Sequence, residues 1–419
     1  MNDINKIQGV KIISPEDRWC VHSYYSLCPY APDGSGRVIY SAANLENGRS
    51  QIYVQSCDGK ILQTFGNVQV ESSFYHTGNW CTWSPDGKAV YYRSGTQIAP
   101  RIVRHDLETG EEIIINGDME SAPTSGEPIV SGYLGMLYAA GYANGEYHPE
   151  QSPFSFEERD SHGLFCHYVT QKRSELLLSV NQILNIHPMK DYILQEEQLL
   201  KERLGENEKL TLMAYCVRWN SKGDRCLFYF GNHCVDKRRG EPRLSYMFIA
   251  DREFKDIRFV LDLSRGGVHW SFHPDGIHLL GYARDPGDES KTCLCTVKYD
   301  GTGFRKISSH HSGGHPSISP TDYNLLVTDE NNISPGRIVF IDLSTDTEIG
   351  SYVLPRRIGD SEPKGRNPFR ICHHPVFSAD GTKVLCNTLP GKHSMLCELD
   401  VPKREECVSP KGTSRERNL

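Results

Sequence analysis

Trp83-Ser-Pro-Asp-Gly87 runs directly into Lys88-Ala-Val-Tyr-Tyr92, and the same sentence is written several more times along the chain. Trp219-Asn-Ser-Lys-Gly223 precedes Asp224-Arg-Cys-Leu-Phe-Tyr-Phe230. Phe272-His-Pro-Asp-Gly276 precedes Ile277-His-Leu-Leu280. Ile318-Ser-Pro-Thr-Asp322 precedes Tyr323-Asn-Leu-Leu-Val327, and Phe377-Ser-Ala-Asp-Gly381 precedes Thr382-Lys-Val-Leu-Cys386. Each copy is a strand end, a tight turn and a new strand. Asp-Gly supplies the positive φ that a hairpin turn needs, and proline presets the position before it. Tyr30-Ala-Pro-Asp-Gly34 before Arg37-Val-Ile-Tyr40 is a sixth copy. Ile129-Val-Ser-Gly132 before Gly135-Met-Leu-Tyr138 reads as a degenerate seventh.

Neighbouring turns lie 45 to 59 residues apart, apart from one interval of 91. A four-stranded propeller blade takes about 40–50 residues plus loops. The repeat therefore predicts an all-β chain: one seven-bladed β-propeller over residues 1–402. The long interval, Gly132 to Gly223, holds one blade's outer strands, Leu164–Val169 and Ser174–Ser179, and then an insertion. Asp191 to Leu204 places Leu194, Leu199, Leu200 and Leu204 among Gln, Glu, Lys and Arg, which predicts a short helix within an insertion of about 188–208. Residues 403–419 are charged and expected to be disordered.

Hydrophobic residues make up 38% of the chain and charged residues 24%, which is a globular composition. The net charge of −7 argues against general nucleic-acid or anionic-membrane binding. No run of eighteen or more apolar residues occurs, and the polar start carries no signal peptide, so a cytoplasmic location is expected. The 14 cysteines are scattered through strand-like runs and are expected as reduced, buried thiols. Cys293 and Cys295 alternate along one strand and share a face, which suits core packing.

A propeller is a scaffold, so function must come from its loops. An enzyme acting on carbohydrate, a binding module and a protein-interaction platform all compete at this level. Histidines supply the chemical signal. His76, His269, His315 and His374 each stand a few residues ahead of a blade turn, and circular equivalence would bring them toward one axis. Imidazoles gathered from several strands suit a metal ion or acid–base work. His269, His315 and His374 are the candidate metal ligands.

Several stretches together resemble a family. They are Ser23-Tyr-Tyr-Ser-Leu-Cys-Pro-Tyr-Ala-Pro-Asp-Gly34, Tyr75-His76, Arg159-Asp-Ser-His-Gly163-Leu-Phe, Gly314-His315-Pro316 and Arg370-Ile-Cys-His-His374-Pro375. This set resembles the propeller polysaccharide lyases, which cover oligogalacturonate, ulvan and rhamnose–glucuronate lyases, with related propeller α-L-rhamnosidases. The resemblance implies β-elimination beside a uronic acid in an acidic oligosaccharide. That chemistry needs the carboxylate neutralised, a base for the C5 proton and an acid for the leaving O4. By position, His76 matches the first catalytic histidine and Tyr142 the catalytic tyrosine. Arg159 matches the arginine on the substrate carboxylate, and Arg370 is a second substrate-binding candidate. Gln97 stands where the ulvan and rhamnose–glucuronate enzymes place a second histidine, and an amide cannot transfer protons at neutral pH. The alternative branch implies hydrolysis on the opposite propeller face, with His22 as its histidine. The family's metal pattern implies a divalent ion, Mn²⁺ or Ca²⁺. Its glutamine has no match here; Arg370 and Cys372 stand near His374 instead.

Overall fold

The structure is a computed structural model. It describes residues 4, 7–71, 74–96, 99–132, 154–232, 239–330, 335–355 and 371–403. Seven antiparallel sheets form the blades, as the repeat predicts. β1 (Val10–Ile12) waits for the end of the chain. Blade one is β2 (Trp19–Val21), β3 (Val38–Asn44), β4 (Arg49–Gln55) and β5 (Ile61–Gln69). A single helical turn, α1 (Phe74–Thr77), leads to blade two: β6 (Thr82–Trp83), β7 (Ala89–Gly95), β8 (Pro100–Asp106) and β9 (Glu112–Asn116). Blade three is β10 (Ile129–Ser131), β11 (Gly163–Tyr168) and β12 (Arg173–Ser179).

Two helices follow, α2 (Val180–Ile186) and α3 (Lys190–Leu204). Blade four is β13 (Met213–Trp219), β14 (Arg225–Gly231), β15 (Ser245–Asp251) and β16 (Ile257–Asp262). Blade five is β17 (Gly267–Phe272), β18 (His278–Asp285), β19 (Asp288–Lys298) and β20 (Arg305–Ser308). Blade six is β21 (Ser317–Ile318), β22 (Leu325–Glu330), β23 (Gly336–Asp342) and β24 (Thr347–Leu354). Blade seven is β25 (Val376–Phe377), β26 (Lys383–Thr388) and β27 (Met395–Asp400), completed by β1. The ring closes where Val10 pairs with Leu399 and Ile12 with Cys397.

Blade faces stack on one another, so the middle strands are buried on both sides. Cys226, Leu227, Phe228 and Phe230 of β14 are all fully buried. That is why these strands read as apolar runs and not as a polar–apolar alternation. The twelve described cysteines are free and ten are buried. Cys293 and Cys295 sit in the core with their Sγ atoms 3.6 Å apart.

Ile129 pairs with His167 and Ser131 with Phe165, so β10 takes its partner from β11; the expected turn after Gly132 and the strand at 135–138 lie outside the described residues. The chain just before β10 runs beside the inner strand of blade four. The Glu120 carboxylate accepts from Cys216 N–H at 3.1 Å, and Ser121 Oγ donates to the Val217 carbonyl at 3.2 Å. The insertion is anchored by a capping box at Ser179 and Gln182.

Blade three and its insertion bury three imidazoles. Burial pulls His162, His167 and His187 each down to about 4. Their folded values lie below the ordinary histidine value, so the unfolded chain binds protons first as pH falls. The stability they contribute is complete above about pH 6.5 and is lost on descent toward pH 4. His167 alone makes the loss about 1.4 kcal/mol per pH unit in that window. Urea midpoints should fall steeply between pH 7 and pH 5 with an unchanged slope; equal midpoints would contradict the assignment.

Candidate functional site

Inner strands of five blades begin in the same way. Trp80, Cys216, His269, His315 and His374 each stand three residues before the residue that ends the strand: Trp83, Trp219, Phe272, Ile318 and Phe377. Four of the five have positive φ: Trp80 at 53°, Cys216 at 56°, His269 at 60° and His374 at 49°. Side-chain-bearing residues other than Asn and Asp seldom adopt that conformation. The ladder slips at the same place, between Tyr215 and Arg218 in blade four and between Val268 and Ser271 in blade five. A bulge re-aims a side chain, here off the blade face and into the channel. In blade five the pre-turn histidine, His269, stands at this bulge.

The imidazoles meet as expected. His269 and His315 have ring centroids 4.1 Å apart, and His315 and His374 4.3 Å apart. His76 reaches the cluster from α1, with its ring 4.7 Å from that of His374. It does not share their register, because Trp80 holds that position in blade two.

What each ring can do depends on which nitrogen is already used. His315 Nδ1 lies 3.0 and 3.1 Å from the two oxygens of buried Asp329, and its backbone N–H donates to the same carboxylate. A carboxylate on Nδ1 fixes the ring and presents Nε2. His269 Nδ1 donates to the Gly314 carbonyl at 2.7 Å, which makes Nε2 the lone-pair nitrogen. Burial, reinforced by the Arg218 charge, lowers His269 to about 4, so the ring is neutral at pH 7. His374 is fully buried, and among the described residues neither of its ring nitrogens has a hydrogen-bond partner. Burial first, then the neighbouring imidazoles of His315, His76, His22 and His269, hold it well below the usual histidine range.

His76, Cys372 and His374 place one donor atom each within 4.8 Å of one another. Two imidazoles and a thiol are a competent donor set for a divalent transition ion. They do not suit Ca²⁺, which takes oxygen ligands. The orphaned nitrogens of His374 fit this role, because a bound cation would satisfy a buried group that has no other partner. Of the three expected ligands, only His374 belongs to this group. His269 and His315 border it.

Tyr24 and Tyr25 form the floor. The Tyr24 ring lies 4.6 Å from that of His374 and 5.6 Å from that of His315. Tyr25 lies 5.1 Å from His315, and its hydroxyl accepts from Arg218 Nη1 at 2.9 Å. Sequence reasoning quoted Ser23-Tyr-Tyr-Ser26 but gave these tyrosines no role. It also missed Asp329 and Arg218, although Arg218 stands two residues past the bulge position.

Two expected residues are placed elsewhere. Arg159 is buried in an ion pair with Glu197 of α3, and its Nη2 also donates to the Leu210 carbonyl at 3.1 Å. Its guanidinium ties the insertion down and is not presented to a substrate. His22 does not lie on an opposite face. It is fully buried, its N–H donates to Asn387 Oδ1 at 3.0 Å, and its ring sits 6.2 Å from that of His374. Gln97, Tyr142 and Arg370 lie outside the described residues.

Comparison with known proteins bears on this geometry. No family model matches the chain. No curated protein matches it either. Solved structures do. An oligogalacturonate lyase in complex with manganese is 14% identical with a TM-score of 0.62, over 94% of this chain and 93% of that one. An oligogalacturonate lyase from Vibrio parahaemolyticus is 14% identical with a TM-score of 0.60, over 94% of each chain. A prolyl endopeptidase structure reaches 0.50 at 10% identity, covering 93% of this chain but 51% of that one. The likeness establishes the propeller. At such identity it establishes the fold alone. Among the described residues, no helix is long and apolar enough to cross a membrane.

Proposed function

We propose that this propeller is a metal-assisted lyase of uronate-containing oligosaccharides, working by β-elimination at the channel mouth that holds the histidines. The observation that carries the reading is the convergence of His76, Cys372 and His374 as a donor set beside a neutral, oriented His269. The likeness to oligogalacturonate lyases, one of them a manganese complex, supports it.

A divalent ion bound there would draw charge from the uronate carboxylate and make the C5 proton more acidic. His269 is the residue placed to take that proton, since Nδ1 is spent on Gly314 and Nε2 keeps its lone pair. As the proton leaves, the C5 electron pair forms the C4–C5 double bond and the C4–O4 bond breaks. We assign the proton that O4 then needs to Tyr142, with Gln97 and Arg370 contacting the sugar and its carboxylate. His315, fixed by Asp329, keeps the cluster in register. Hydrolysis through His22 gains no support, because its ring stands beside His374 and not on an opposite face.

Incubation with oligogalacturonate or glucuronate-containing oligosaccharides in Mn²⁺ or Zn²⁺ should raise the ultraviolet absorbance of the unsaturated uronate. His269→Gln should lower the rate by about 10²–10⁴-fold, the usual share of a general base. No rise with any uronate oligosaccharide, with either metal, would overturn the reading.

A further inference from the structure

The opposite end of the channel has a construction of its own. A cavity of about 410 Å³ opens between the turn ends of the inner strands, within the ordinary size range of small-ligand sites. Its walls include Trp83, Trp219, Phe272 and Phe377, which are the strand-ending residues of four blades. Arg218 also lines it.

Arg218 is 5% exposed, yet no carboxylate pairs with it among the described residues. Among the described residues, Nη1 donates to the Tyr25 hydroxyl and the Trp270 carbonyl, and the guanidinium also bonds the Tyr229 hydroxyl. Its ring neighbours are Tyr24, Tyr25 and Tyr229. Burial, then the Asp118 charge, pushes the nearby Glu120 carboxyl up to about 8, against the lowering pull of Arg218. A buried guanidinium without an anion is costly.

We infer that this cavity is a second binding site, for a small hydroxylated carboxylate with one ring face. The free edge of the Arg218 fork suits a planar carboxylate taken in bidentate fashion. The Ser271 hydroxyl suits the ligand's oxygens, and the aromatic walls suit its ring. An uncharged apolar ligand would leave Arg218 unpaired. The site is separated from the histidines by the Tyr24–Tyr25 layer and does not depend on the lyase reading.

The test is calorimetric titration of the full chain with sodium galacturonate and sodium glucuronate, against galactose and glucose at matched ionic strength. Saturable binding of at least one uronate is expected, with the matching neutral hexose weaker by about tenfold or more, as for loss of a charged hydrogen-bonded pair. Ser221→Trp, which fills the cavity from its exposed rim, should abolish it. His76→Ala and added chelator should leave it unchanged. Three results would each overturn the inference: no saturable uronate binding, equal binding of uronate and hexose, or binding that survives Ser221→Trp but is lost in His76→Ala.

Discussion

His374→Ala should abolish turnover of uronate oligosaccharide, by about 10²–10³-fold or more, the scale for removing one electrostatic stabiliser of a developing charge. It should also abolish the stabilisation that a divalent ion confers. A ligand that binds only the folded state adds about 2.7 kcal/mol at a hundredfold excess over its Kd. Thermal melting with and without Mn²⁺ or Zn²⁺ should therefore show a clear shift in the native chain and none in the variant. The metal-free variant should melt close to the metal-free native protein. Among the described residues His374 has no side-chain hydrogen bond to give up on removal, and an unpaired buried imidazole is a cost to the apo fold. A large loss of apo stability would mean that His374 is a structural residue. His76→Ala provides a second route to the same result, because His76 is only half-buried and lies on a one-turn helix away from the bulges.

Arg159→Met should destabilise the fold by about 3–5 kcal/mol, the usual penalty for stranding one member of a buried ion pair. Glu197 would keep its charge in the core with only the Leu210 N–H, at 3.0 Å, to satisfy it. Removing both charges, as Arg159→Met with Glu197→Leu, should recover part of the loss. Turnover per folded molecule should be unchanged in both variants, because Arg159 anchors α3 and touches none of the axial histidines. A wild-type melting curve with a collapsed rate would instead restore Arg159 as a substrate contact. Chemical denaturation and initial rates on the same preparations separate the two.

The propeller was legible because turn chemistry is local. Asp33-Gly34, Asp86-Gly87, Asp275-Gly276 and Asp380-Gly381 each announce a hairpin within four residues, and their spacing counts the blades. At Gly132 the local signal gave the strand, Ile129–Ser131, but not its partner, because Gly163–Tyr168 lies more than thirty residues away. The histidine cluster was legible as a repeat, since His269, His315 and His374 each stand three residues before the end of an inner strand. Its division of labour was not. Whether His269 or His374 serves as a metal ligand depends on where Nδ1 is spent, and Gly314 and Asp329 have no local mark in the sequence around those rings. Arg159 failed as a substrate residue because its partner sits on a helix 38 residues along the chain. Arg218, inside Val217-Arg218-Trp219, read as an ordinary strand residue until the bulge placed it in the channel.

The most direct test of the account is anomalous diffraction from crystals grown with Mn²⁺ or Zn²⁺. The account predicts one strong peak bonded by His76, Cys372 and His374, with His269 and His315 alongside and not among its ligands. Full occupancy of an ion elsewhere, with no peak among those three residues, would contradict it.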